Sequence, residues 1–472
     1  MIWFKRERRF VRPEEGELCF FAEAKFERAL RELPSSRQLD HLKKTLQAGD
    51  DHLFNRFREG ENVSRLTRDR ARFLDRLIYH SWNLFKWDDD IALVAVGGYG
   101  RMDMHPQSDI DLLFLTRKDN HHKYRDSILK LTTLLWDIGL KVGHSVRTAR
   151  QCASTAQGDL TVMTNLIESR TIVGDEQLRL DLNELIAPNR IWSEQDFYRG
   201  KAEEQRQRHE KHGIVEYDME PNVKESPGAL RDIQNINWIA RRIYGVAGLE
   251  QLAGRKVYTE EEYTTLAAAQ SFLARVRFAL HMITGKPIDQ LQFDYQRQLS
   301  ELLGYEDTPE RLAVEVFMRD YYRSVTAIRV ISDVLMQVLG DHLTKDTDSG
   351  DIKIVNDRFQ IRDDLLEARR AQVFEETPSA LLEIFVLLSR DKKIRGIQAG
   401  TIRLLREYAS IIDGNYRRQP EHRELFVKLL ESQDHLSVPL QMMARYGILG
   451  RYLPEFGDIQ GLPQHDLFHI YP

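Results

Sequence analysis

Two aspartates, Asp109 and Asp111, stand one residue apart just after a glycine-rich turn, Gly97-Gly98-Tyr99-Gly100. Side chains alternate faces along a strand, so both carboxylates are expected to point the same way. Paired carboxylates repel unless a cation sits between them, and Mg²⁺ takes one or two carboxylates plus phosphate oxygens. Two such ions, roughly 3.5–4 Å apart, clamp the attacking and leaving oxygens of an in-line displacement. The glycines free backbone N–H groups to turn inward as an anion nest. Ser108 can add a hydroxyl donor, and Arg101 is placed to meet triphosphate charge or to close the loop. Either half alone is more often a plain turn or a solvated strand edge. Joined at this spacing, they point to nucleotidyl transfer.

The elements that position these groups are legible in the apolar pattern. Ile91 to Val96 precedes the turn and Leu112 to Leu115 follows the aspartates, so two strands are predicted. Phe73, Leu74, Leu77, Ile78, Trp82 and Phe85 recur at helical spacing before the first strand. Ile128, Leu131, Leu135 and Ile138 mark a helix ended by Gly139, and Leu140 to Thr148 reads as a third strand. The order gives a small α+β fold with a mixed sheet over residues 64–150, after a helical segment at 1–63. No Gly-Lys-Ser/Thr follows the turn, which excludes the ATPase phosphate loop. A strand rather than a long helix comes next, which excludes a dinucleotide fingerprint.

The chain has 472 residues, a net charge of −5 and 30% charged residues. That balance argues against a broad nucleic-acid footprint. Cys19 and Cys152 lie far apart and make no metal spacing, which suggests a reducing compartment. No run reaches the ~20 apolar residues of a spanning helix, and the start lacks a signal-peptide core, so a cytoplasmic protein is expected.

Helical patterns dominate from residue 159 to 343: at 160–167, 196–212, 230–244, 260–283 and 309–343. Residues 344–362 read as a linker with a short hairpin at 352–361, and 363–450 look helical again. A second constellation lies at 220–235, where an extended segment ends in Ser226-Pro227-Gly228 and a helix starts near Ala229. Lys224 and Arg231 are cations at this junction. The plain reading is a helix start capped by Ser226 with a surface Arg–Asp pair.

Three ordered segments carry a resemblance: GGYGR with P-x-SDIDLLFL, then LWDIGLKVGHSVRT, then EPNVKESPGALRDIQ. Together they resemble the bacterial PII uridylyltransferase/uridylyl-removing enzymes, within the DNA polymerase β-like nucleotidyltransferase superfamily. The glutamine synthetase adenylyltransferases share part of the pattern. Gly143 to Arg147 favours the uridylyltransferases. The resemblance implies that UTP, held with Mg²⁺, donates UMP to a tyrosine of the PII signal protein and releases pyrophosphate. It implies that Gly97, Gly98 and Ser108 hold the triphosphate, that Asp109 and Asp111 hold the metal, and that Lys224 and Arg231 contact the nucleotide or active site. Most superfamily members carry a third acid on the next strand. Here that strand has none, so Asp232, Glu225 and Asp137 are the candidates for the base, with His144 a weaker one.

The family continues into an HD phosphohydrolase domain that removes UMP and into glutamine-binding ACT domains. Residues 363–472 are therefore expected to be the leading helices of an unfinished HD domain, with apolar faces around Leu381, Phe385 and Leu440 partly uncovered. His465-Asp466 is expected to be a polar helix start rather than the metal pair. The expectation is a truncated chain without the removing activity or the glutamine sensor. Protein adenylyl transfer and a catalytically weak nucleotide-binding regulator are the alternatives.

Overall fold

A computed structural model describes residues 10–11, 18, 20–119, 121–212, 218–246, 248–252, 254–255, 257–344, 352–432 and 436–459. The chain divides into two compact units, Met1–Lys201 with Leu273–Leu291, and Ala202–Phe272 with Gln292–Pro472.

The first unit is built on a five-stranded sheet. Its strands are Phe10–Val11 (β1), Ile91–Ala95 (β2), Ile110–Thr116 (β3), Val142–Thr148 (β4) and Arg170–Asp175 (β5), in the order β1-β5-β2-β3-β4. Helices Glu23–Glu32 (α1), Ser35–Arg58 (α2) and Val63–Trp82 (α3) precede β2. The Asn62 side chain caps α3 by accepting from the Ser64 N–H, one residue from the expected start. A single helical turn, Gly97–Gly100 (α4), joins β2 to β3, which pair antiparallel. Arg125–Asp137 (α5) carries the chain across to β4, which pairs parallel with β3. Helix, strand, turn, strand, helix, strand is the α+β order predicted from the apolar pattern.

Helices cover both faces of this sheet. Ile91, Leu93, Ala95, Leu112 and Phe114 share a core with Leu74, Leu77 and Ile78 of α3 and Ile128, Leu131 and Leu135 of α5. Ala149–Gly158 (α6), Leu160–Ile167 (α7) and Glu176–Leu185 (α8) follow β4, and α6 and α8 pack against the strands. The strand β5 was not foreseen, because residues beyond 159 read as helical. Its Thr171-Ile172-Val173 run is β-branched throughout, and it pairs with β2, so the sheet extends past residues 64–150.

The division between units falls inside Glu194–Lys211 (α9) and Glu260–Thr284 (α11). The second unit also contains Leu230–Tyr244 (α10), Phe293–Leu302 (α12) and the long Ala313–Thr344 (α13). Of the expected linker, residues 345–351 lie outside the described residues. The hairpin is larger than expected. Ile352–Ile354 (β6), Phe359–Arg362 (β7), Leu365–Ala368 (β8) and Gly396–Ile397 (β9) form a four-stranded sheet. The expected uncovered faces of the last segment are corrected here. Leu381 and Phe385 are 0% exposed in a core that also takes in Val330 and Val334 of α13, and Leu440 packs against it half-buried. The apolar stripes close on one another and on the sheet. His465 and Asp466 lie outside the described residues. Among the described residues, no helix is long and apolar enough to cross a membrane.

One polar knot ties the first unit together. Asp75 of α3 accepts from the Tyr99 hydroxyl at 2.7 Å and from Arg170 of β5 at 2.8 and 3.0 Å. Tyr99 is fully buried, and burial first, then the Asp75 charge, holds its hydroxyl far above its ordinary pKa. Removing one partner of such a group leaves the others uncompensated. Asp75→Ala is expected to destabilise the first unit by on the order of 3 kcal/mol, and Tyr99→Phe by about 1 kcal/mol. Urea unfolding followed by tryptophan fluorescence checks both, and equal losses would refute the network.

Candidate active site

The strand register decides where the aspartates stand. Asp111 is the second residue of β3 and faces Gly143 of β4 across the ladder. A β-carbon added at Gly143 would lie 2.9 Å from Asp111 Oδ1. A β-carbon added at Gly97, whose φ is +58°, would lie 3.5 Å from Asp111 Oδ2 and 3.2 Å from Asn165 Oδ1. The Asp111 carboxylate is thus seated between two positions that lack side chains, one on the turn and one on the neighbouring strand. Asp109 precedes β3 and is exposed. The cradle leaves room beside the carboxylate, and the donor set of Asp109 and Asp111 is the hard-oxygen kind that suits a divalent cation completed by phosphate oxygens. Among the described residues, no group of three His, Cys, Asp or Glu could hold a metal unaided.

The glycines differ from expectation in one respect. They form a helical turn rather than an open loop, with Gly100 N–H donating to Val96 O at 3.2 Å. The first N–H groups of such a turn have no partner within it. Gly98 is half-buried, and the nearest atom to an added β-carbon is the Arg101 guanidinium at 3.7 Å. Arg101 is engaged by carboxylates of the protein. It is ion-paired with Glu168 and lies 3.6 Å from Asp103, so it closes the loop.

The segment between the turn and the aspartates rests on a buried floor. His105 is 1% exposed, and its Nε2 lies 3.4 Å from Asp103. Arg70 of α3 donates to the His105 carbonyl, and the Ser108 N–H donates to it as well, at 3.2 and 3.0 Å. The Gln107 N–H donates to His281 Nδ1 at 3.4 Å, while His281 Nε2 meets Asp289 at 3.0 Å. That pattern uses the neutral form of His281. Arg277 also binds Asp289, at 2.7 Å. Ser108 is half-buried directly before Asp109. No local motif announced this floor, since His281 lies 174 residues from Gln107.

The strand β4 corrects one candidate base. His144 pairs in register with Leu112, not Asp111, and so lies on the opposite face, edge-on to Phe114 at 6.0 Å and near Trp136 at 6.2 Å. Ser145 and Arg147 share the Asp111 face by alternation. Asp137 is exposed in the last turn of α5.

The second unit holds another candidate. Asp232 is 0% exposed and accepts from Arg208 at 2.5 Å, from the Gly228 N–H at 2.7 Å, and meets His209 at 2.9 Å. Burial alone would raise its pKa, but the His209 hydrogen bond and the Arg208 charge hold it well below the usual carboxylate range. These contacts anchor the carboxylate at the start of α10. Ser226 does not cap that helix; its hydroxyl accepts from the Asn222 N–H at 2.9 Å. Asn222 Oδ1 in turn accepts from the N–H groups of Lys224 and Glu225, at 3.0 and 2.8 Å. Arg231 binds Glu225 at 2.9 Å and Gln234 at 2.7 Å, and lies over Trp238. Lys224 lies 3.8 Å from Glu225. Glu225 is therefore ringed by cations, which outweigh burial and lower its pKa. Sequence reasoning missed Asn165 and the packing role of Gly143, and it chose the wrong partner for Arg231.

Burial, then the Arg277 charge, pushes His105 down from its ordinary 6.5 to about 4. The unfolded chain therefore binds a proton that the folded chain refuses between those values, and stability falls as pH drops through that window. The loss attributable to His105 is at most about 3 kcal/mol, at ~1.4 kcal/mol per pKa unit. Urea midpoints of the first unit at pH 7 and pH 5 should show it, and His105→Asn should flatten the dependence.

Comparison with known proteins matches this arrangement in three ordered segments. Residues 82–150 match a nucleotidyltransferase domain, residues 196–336 the GlnD PII-uridylyltransferase model, and residues 359–452 the uridylyltransferase GlnD third domain. Nucleotidyltransferases of this kind generally use a divalent metal. The bifunctional uridylyltransferase/uridylyl-removing enzyme of Azotobacter vinelandii (strain DJ / ATCC BAA-1303) is 50% identical over 438 residues, covering 92% of this chain and 49% of that protein. That of Pseudomonas savastanoi pv. phaseolicola is 48% identical over 432 residues, covering 91% and 48%. The chain spans about half the length of the curated relatives it matches. Sharing half its residues with these enzymes across nearly its whole length, with the glycine turn and both aspartates in the matched nucleotidyltransferase segment, this chain belongs to the GlnD PII-uridylyltransferase family.

Proposed function

We propose that this chain transfers UMP from UTP to a tyrosine hydroxyl of a PII-type signal protein in the cytoplasm, releasing pyrophosphate. The observation that carries the reading is the Asp111 carboxylate seated between Gly97 and Gly143, beside the glycine turn and next to Asp109. In the reaction the tyrosine oxygen forms a bond to the α-phosphorus, and the bond from that phosphorus to the pyrophosphate oxygen breaks. Gly97 and Gly98 present backbone N–H groups to the triphosphate, and Ser108 adds its hydroxyl. Asp109 and Asp111 would hold Mg²⁺, which supplies charge neutralisation at the transferring phosphoryl group. Arg101 holds the turn in place through Glu168 rather than touching phosphate. Lys224 and Arg231 order the junction before α10 through Glu225.

Incubation of the chain with PII, Mg²⁺ and labelled UTP, with ATP in a parallel reaction, tests the reading. Label on PII from UTP alone is expected. Asp109→Asn and Asp111→Asn should each lower transfer by about a hundredfold or more, the scale of losing a transition-state electrostatic contact, with unchanged circular dichroism. Gly143→Ala should lower transfer at least tenfold without lowering the unfolding midpoint, because its methyl must displace the carboxylate. Transfer from ATP at the same rate, or undiminished turnover in Asp111→Asn, would overturn the assignment.

A further inference from the structure

The second unit contains a cavity of about 630 Å³ whose wall is rich in arginine. Arg311, Arg319, Arg323, Arg406, Arg445 and Arg451 line it, against one carboxylate, Asp458. The residues come from well-separated parts of the chain: the segment just before α13, the first third of α13, the helix Ala399–Tyr408, and the helices Ser437–Arg445 and Leu449–Tyr452. Two of the six are partly neutralised, Arg445 by Asp333 at 3.2 Å and Arg323 by Asp320 at 3.8 Å. Among the described residues, the side chains of Arg311, Arg319, Arg406 and Arg451 have no carboxylate within ion-pairing distance. The Nε of Arg319 is also buried without a hydrogen-bond acceptor.

These facts are costly to the free protein. Like charges gathered in one concavity repel, and a buried N–H without an acceptor forfeits a desolvation energy that a bound acceptor restores. Guanidinium groups are the side chains that match phosphate oxygens in a bidentate fork. The volume lies in the range of cavities that hold a small organic ligand and exceeds the need of a single phosphate ion. We propose that this cavity is a binding site for a small oligophosphate anion, separate from the glycine-turn site of the first unit. The shared chemistry is a chain of phosphoryl groups, carried by an inorganic oligophosphate or by a nucleoside polyphosphate.

The test is calorimetric titration of the 472-residue chain with sodium tripolyphosphate, without divalent metal, at fixed ionic strength. Tripolyphosphate should bind Arg406→Gln/Arg451→Gln at least tenfold more weakly than the parent, and should bind Asp109→Asn/Asp111→Asn with parental affinity. ATP in place of tripolyphosphate distinguishes the sources: tighter binding of ATP at this cavity marks a nucleoside ligand, and weaker binding marks the inorganic chain. Protection of Arg319 and Arg406 from phenylglyoxal by tripolyphosphate, read by mass spectrometry on the unmutated protein, gives a result independent of variant folding. An affinity of the double arginine variant within twofold of the parent, absence of protection, or equal affinity for citrate would overturn the proposal.

Discussion

The placement of the candidate site depends on one buried carboxylate. Asp75 lies within α3, and it binds both the tyrosine of the glycine turn and an arginine of the last sheet strand. A helix, a turn and a strand, distant in sequence, therefore share one acceptor group. In a low-dielectric interior these bonds reinforce one another, and a missing member leaves buried charge or hydroxyl without a partner. The orientation of the turn follows from that knot, and the seat of Asp111 follows from the turn. The chemistry at the start of β3 is thus set from below, by a buried carboxylate and a buried tyrosine.

The charges around the turn are sorted in a consistent way. The cation nearest the glycines, Arg101, is engaged by Glu168 and Asp103, while Asp109 is left exposed. The floor under the connecting segment uses neutral imidazoles where charged groups would be costly to bury. His281 accepts from backbone on one side and meets a carboxylate on the other, so its ring is oriented without a net charge of its own. Asp109 is the carboxylate left exposed at the rim of the turn.

How much of this was legible in the sequence depends on the range of the interaction. The two strands, the helix between β3 and β4, and the pairing of turn and aspartates are local patterns, and alternation and spacing disclosed them. The strand β5 was hidden because it is six residues long and embedded among helices, although its β-branched run was a usable signal. His144 was misplaced because facing depends on register, which a lone strand does not reveal. Asp232 is a candidate by residue type and position in its segment, and its enclosure by Arg208, His209 and a backbone N–H is a tertiary fact that the sequence does not disclose. Asn165, Arg170 and His281 reach the site from far along the chain, and no motif marks them.

The first unit is discontinuous, and this has a consequence for its biosynthesis. Its floor includes Phe278, stacked on Phe57 at 4.9 Å, and His281 beneath Gln107, both from the segment Leu273–Leu291. A nascent chain emerging from the ribosome has all five strands available long before it has this segment. During the interval, at ~5–20 residues per second, Phe54 and Phe57 of α2 and the segment around His105 lack these partners while residues 202–272 are being made. Completion of the floor beneath the connecting segment is therefore tied to translation well beyond the last strand of the sheet.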